Sequence, residues 1–124
     1  VKHTISLYEP PNEELLTNRT LNRLFSHNLK ENGEITICAP KNVHSGLSIG
    51  AVSRKVPCIH PYYRITEDAS IKYGSKAFGD CTISKFAMDQ CIKASAALAS
   101  TAFDLIEKSD LLAEVKNEFF NTFK

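Results

Sequence analysis

The side chains able to do chemistry in this 124-residue chain are few and scattered. Four cysteines (Cys38, Cys58, Cys81, Cys91) stand 20, 23 and 10 residues apart, with no CxxC pair. The four histidines (His3, His27, His44, His60) do not cluster beside them as zinc-finger ligands would. There is no phosphate-binding glycine loop, no HExxH, no GxSxG and no pair of carboxylates in a loop. His44 and Ser45 could be argued into a base and a nucleophile, but adjacent residues rarely aim at each other, so a plain polar loop is the preferred reading. His60, in the run Ile59-His60-Pro61-Tyr62-Tyr63, is the more interesting position. It falls at the end of a β-branched and aromatic stretch, where α/β sheets display functional side chains. A histidine satisfied by a backbone carbonyl is the plainer and preferred alternative. Tyr62, Tyr63 and the C-terminal phenylalanines read as packing residues, because a base-stacking sheet needs interleaved arginines and lysines that are missing here.

Composition narrows the function classes further. Fifteen Lys and Arg against fourteen Asp and Glu leave a net charge of +1, with nothing to offer a nucleic-acid backbone or an anionic lipid surface. Hydrophobic residues at 43% argue against disorder, and the length suits one compact domain. No apolar run approaches the roughly 18–20 residues of a membrane span. The first ten residues lack the basic start and apolar core of a signal peptide, so a cytoplasmic location with buried, free thiols is expected.

The hydrophobic pattern predicts the elements that would hold these residues. Residues 2–8 alternate, with His3, Ile5 and Leu7 on one side, as in a half-buried strand. Asn18 is a candidate N-cap for a helix presenting Leu21, Leu24, Phe25 and Leu29, and Gly33 suits the position after its end. Residues 35–38 (ITIC) read as a short buried strand, 39–50 as a loop, and 56–65 as an edge strand interrupted by Pro57 and Pro61. Residues 66–82 look like a surface loop. From Ser84 to about residue 108, Ile83, Ala87, Cys91, Ala94, Leu98, Ala102 and Leu105 mark one face of a long helix. Ser109 or Asp110 would cap a last helix with Leu111, Leu112, Val115, Phe119 and Phe123 inward. This order predicts an α/β fold, a partial three-layer α/β/α sandwich in which long helices cover a small sheet.

Three stretches together carry a family resemblance: residues 18–33 (NRTLNRLFSHNLKENG), 50–65 (GAVSRKVPCIHPYYRI) and 97–120 (ALASTAFDLIEKSDLLAEVKNEFF). In order and spacing they resemble the C-terminal part of the catalytic domain of zinc-dependent amidohydrolases and metallopeptidases of the aminoacylase–carboxypeptidase type. The branch they are most similar to is the aminobenzoyl-glutamate hydrolase and dipeptidase-like one. The run from Val52 and Ser53 through Pro57, Ile59, His60, Pro61 and Tyr62 is the most specific part, and Phe78 also fits. Where the family has a loop aspartate this chain has Ser48, where it has an asparagine there is Ala51, and where it has a histidine metal ligand there is Gly74.

The resemblance implies a division of the chain and a division of labour. Residues 1–9 would end, or cross over from, the family's lid and dimerisation domain, and residues 10–124 would form the C-terminal part of the catalytic α/β domain. The family hydrolyses an amide bond next to a carboxylate through a water on zinc or manganese, with a glutamate base. Most of those ligands belong to an N-terminal half. A chain opening on Val1 fits either a trimmed tag or, as the resemblance prefers, a piece of a longer parent, with that missing half as its partner. Such a piece is expected to be inactive alone, to bind no metal (the ligand position being Gly74) and to carry no catalytic residue, with Ser48, Ser53 and His60 lying near substrate. The alternative is a non-catalytic pseudoenzyme, or an assembly or binding domain on the same scaffold. A severed sheet would also recruit another copy through the 2–8 strand or the 56–65 region, and the small-residue face of the 84–108 helix could pack on itself, so a homo-oligomer is expected.

Overall fold

The computed structural model describes residues 2–6, 12–39 and 47–123. Five helices occupy these residues: α1 (Arg19–Glu31), α2 (Ile49–Ser53), α3 (Lys76–Cys81), α4 (Lys85–Glu107) and α5 (Ser109–Asn121).

Helix ends follow the side chains that can satisfy them. Asn18 Oδ1 accepts the Leu21 N–H at 2.8 Å and starts α1. At the other end Gly33, at φ +87°, turns the chain left-handed. Its N–H reaches the Lys30 carbonyl at 2.9 Å and the Glu34 N–H reaches that of Leu29 at 3.1 Å, a complete Schellman closure. Ser75 Oγ and Ser84 Oγ cap α3 and α4 through the N–H groups of Phe78 and Ala87, each at 3.1 Å. The last helix differs from expectation: Lys108, with no capping side chain, precedes it, and Ser109 is already its first residue.

The body of the molecule is α4 with α1 and α5 laid against it. Phe25 and Leu29 of α1 meet Ala97 of α4, and Ile59 packs on the same cluster. Ala97 is fully buried, and its small side chain lets α1 approach closely. The inward face of α4 is Ala87, Gln90, Ala94, Ala97 and Thr101. Only Ala87 and Ala94 of the expected stripe belong to it; Cys91 and Leu105 are half-buried, while Ile83 is 82% exposed and Leu98 and Ala102 face outward. Polar groups close the α1–α4 contact. Asn28 Nδ2 donates to Thr101 Oγ1 at 3.2 Å and to Asp104 Oδ2 at 2.9 Å, while Thr101 donates to the Ala97 carbonyl at 2.7 Å. In α5, Val115 is buried and Leu111, Leu112 and Phe119 are half-buried, while Phe123, beyond the end of the helix, is exposed.

The sheet is where expectation fails. No strand is present among the described residues, so the α/β/α sandwich is corrected to a helical fold. Residues 2–6 and 35–38 carry no regular secondary structure and are exposed, and residues 7 and 8 of the first expected strand lie outside the described residues. The 56–65 run makes one parallel bridge, Thr17 with Cys58, secured by the Asn18 N–H on the Cys58 carbonyl at 2.9 Å. The physical reason is that a strand is completed by a neighbour's N–H and C=O groups, whereas a helix satisfies its own. Pro57 and Pro61 remove two donors besides. The 66–82 stretch, expected as loop throughout, contains α3, and the end of the expected 39–50 loop contains the start of α2.

Candidate functional site

Ser53 ends α2 and is fully buried. Its Oγ donates to the Gly50 carbonyl at 2.6 Å and accepts the Leu16 N–H at 3.0 Å. Both faces of the hydroxyl are therefore spent on backbone, and Ser53 fastens the segment before α1 to α2. Gly50 serves the same junction: a Cβ there would lie 1.8 Å from the Glu13 carbonyl oxygen, so only glycine allows the two backbones to touch. Arg54 Nε lies 2.7 Å from Glu13 Oε2, a charge contact in which the N–H does not point at the oxygen. Ser48 precedes α2 in a helical conformation, exposed and without a capping bond.

His60 is exposed, and its ring meets the edge of Tyr62 at 4.9 Å between centroids. Among the described residues no side-chain or backbone hydrogen bond to the His60 ring is found. Nothing bonds Ser48, Ser53 and His60 to one another. His44 and Ser45 lie outside the described residues.

Gly74 adopts φ +79° in the turn before α3, closed by the Ser75 N–H on the Lys72 carbonyl at 3.2 Å. A Cβ built there meets no atom within 4 Å. The position is open and has no donor. Among the described residues no three His, Cys, Asp or Glu side chains converge as a metal would require.

The thiols are unpaired but not buried as expected: Cys38 is exposed and the other three are half-buried. Burial pushes the Cys58 thiol up, outweighing a backbone hydrogen bond at Ile59 that lowers it, and so disfavours a thiolate. Cys91 reaches Tyr63, and that contact raises the phenol.

Two carboxylate sites were not visible in the sequence. Glu34 is buried beside Arg64 Nη2 at 3.2 Å and Lys93 Nζ at 3.9 Å, and accepts the Thr36 N–H at 3.1 Å. Burial alone would raise its carboxyl, but Gln90, the Thr36 N–H and the two cations together hold it below the usual range. Beyond Arg64 the chain borders an open groove of about 540 Å³, lined by Tyr63, Arg64, Glu67, Asp68, Ile71 and Phe78. Glu118 of α5 supplies the second site. Its two oxygens accept the Arg19 and Thr20 N–H groups at 2.6 and 2.8 Å, capping α1 from another helix. Neither site has a signal in the sequence, since Glu34 meets its partners 30 and 59 residues away and Glu118 lies 98 residues from Thr20.

Among known proteins the chain is similar to the mouse (Mus musculus) Xaa-Arg dipeptidase. The two are 35% identical over 108 residues, which is 85% of this chain and 25% of that protein. The likeness is peptidase-like. The chain spans about a quarter of the length of the curated relative it matches. No family model matches, and no solved structure matches. No helix among the described residues is long and apolar enough to cross a membrane.

Proposed function

We propose that this chain is the C-terminal scaffold portion of a metal-dependent amidohydrolase or peptidase-like protein, and that it is catalytically silent by itself. The parent reaction would be hydrolysis of an amide bond next to a carboxylate. The partner is the N-terminal half of such a protein, which supplies the metal ligands and the general base. The observation that carries this reading is the partial match: most of this chain aligns with a quarter of a dipeptidase. The local chemistry supports the inactive part of the reading. Ser53 is engaged by backbone, His60 joins no group of three possible ligands among the described residues, and Gly74 stands where the resemblance expects a ligand. Gly74 and Ser48 also favour the second reading, a non-catalytic relative on the same scaffold.

The test is direct. Purified chain is assayed on dipeptides and on N-acyl amino acids, with and without zinc or manganese. The expected rate equals the buffer blank under every condition. Metal-dependent turnover that is lost on His60→Ala would overturn the proposal and make His60 a working residue of this chain.

A further inference from the structure

Asn32 and Gly33 are the dipeptide of this chain most open to modifying itself. Of the five glycines only Gly33 follows an asparagine, and none follows an aspartate. With no Cβ to shield it, a glycine nitrogen can close on the side-chain carbonyl carbon of the asparagine before it. That nitrogen gives its proton to solvent base and bonds to Asn32 Cγ, while the side-chain nitrogen leaves as ammonia. The five-membered imide so formed takes up one water. Opening at one acyl–nitrogen bond gives aspartate. Opening at the other gives isoaspartate, in which the main chain runs through Cβ and Cγ. Water enters, ammonia leaves, and nothing is oxidised or reduced.

In the folded chain the groups this reaction needs are all held elsewhere. The Gly33 N–H donates to the Lys30 carbonyl at 2.9 Å, and Asn32 Nδ2 donates to the Asn28 carbonyl at 2.8 Å. Asn32 sits at φ −87° and ψ 14°, which carries the Gly33 nitrogen away from Cγ. The Glu34 N–H on the Leu29 carbonyl, and Lys93 Nζ on the Gly33 carbonyl at 3.2 Å, fix the far side of the same turn. Yet Gly33 is exposed and Asn32 is only half-buried, so the lock is at the surface. Breaking a few hydrogen bonds at the end of α1 frees it, with Phe25, Leu29 and Ala97 still packed.

We propose that Asn32–Gly33 is a deamidation site gated by the closure of α1. It is silent while the closure stands, reacts when the closure opens, and cannot remake the closure afterwards. The product supplies the irreversibility. Either product replaces the Nδ2 donor with a carboxylate facing the Asn28 carbonyl, at the negative end of the α1 dipole. Isoaspartate also adds an atom to the main chain, so the N–H groups of residues 33 and 34 no longer meet their carbonyls together. Lys93 offers little compensation, being already shared between the Gly33 carbonyl and Glu34 Oε2 at 3.9 Å. Openings of this one helix end are thereby recorded as permanent negative charge. The site is independent of the peptidase-like reading.

Incubation of the full chain at neutral pH tests it, with peptide mapping by mass spectrometry separating asparagine, aspartate and isoaspartate at position 32. Four hydrogen bonds hold the turn, so conversion in urea is expected to be on the order of a hundredfold faster than in the native chain. Lys93→Met removes one of the four and keeps a good helix former. It should speed native conversion about threefold while circular dichroism reports unchanged helix. Asn32→Asp reproduces one product and should melt about 4 °C below wild type. Equal rates in buffer and in urea would overturn the proposal. So would a Lys93→Met chain that converts no faster than wild type, since the gate would then be unfolding of the whole chain. An Asn32→Asp chain that melts with wild type would show that the closure survives its product, and would overturn it as well.

Discussion

The α1–α4–α5 body and the stretch from residue 54 to residue 75 are built from comparably apolar sequence, yet they differ in how they hold themselves. In the body, Phe25, Leu29 and Ala97 are removed from water, and Asn28, Thr101 and Asp104 close the polar contacts around them. In the connecting stretch, Val56, Tyr62 and Tyr63 remain exposed. Its bonds are mostly short-range, such as Asp68 Oδ1 accepting the Ser70 N–H at 2.8 Å. Helices complete their own hydrogen bonds and need only one packed face, whereas an extended segment depends on a neighbour for both. The regions therefore differ in what they ask of the rest of a polypeptide, and substitutions should respond accordingly.

The largest effect is expected at the centre of the body. Phe25→Ala removes a ring that is 5% exposed and should cost about 3–5 kcal/mol, a large share of a small domain's stability. Ile35→Ala, in a run that reads as a strand but lies 81% exposed, should change stability by less than about 0.5 kcal/mol. Urea unfolding of the two variants gives the comparison directly. Equal losses would mean that residues 35–38 are packed in solution and that the contrast between the regions is wrong.

The same contrast explains what was legible in the sequence. Asn18, Gly33 and Ser84 act on groups a few residues away, so their roles as helix boundaries could be read from order alone. The face of α4 was harder. Alanine, leucine and cysteine recur all round the helix, and only contact with α1 decides that Ala97 points inward and Leu98 outward. The expected strands failed because β-branched composition describes a surface that fits a sheet but cannot supply its partner. At the site, the buried engagement of Ser53 with Leu16, 37 residues away, was not legible.

A smaller effect is expected where α5 caps α1. Burial tends to raise the Glu118 carboxyl. The Thr20 side chain, the N–H groups of Arg19 and Thr20 and the charge of Arg23 outweigh it and hold the group below its ordinary value. A carboxylate lowered by folding contributes stability that is fully present above its unfolded value of about 4.3. That contribution is lost as pH falls through the lowered folded value. Glu118→Gln keeps one acceptor but loses the charge, and should cost about 1 kcal/mol at pH 7, as helix-cap substitutions do. Wild type and variant should converge in thermal stability as pH drops from about 5 towards 3. A difference that stays constant over this range would assign the loss to packing and separate Glu118 from the cap.

A last test concerns Gly74, in the loosely held region and at the position where the family resemblance expects a metal ligand. Gly74→His meets open space, so no neighbour has to move. The backbone at φ +79° is nevertheless a conformation that side chains disfavour by about 1–2 kcal/mol. A histidine also restricts the unfolded chain more than glycine does, which returns about 0.4–1 kcal/mol. The net loss should fall between about zero and about 1.6 kcal/mol. The new imidazole has no set of donors to join among the described residues, since no three His, Cys, Asp or Glu side chains converge there. Titration calorimetry of the purified variant should therefore show no stoichiometric, submicromolar zinc binding, and its melting temperature should not rise when zinc is added. If zinc binds tightly to Gly74→His but not to wild type, the 72–76 turn lies near donors that this fold does not bring together. The connecting stretch would then possess an arrangement of its own, as ordered as that of the helical body.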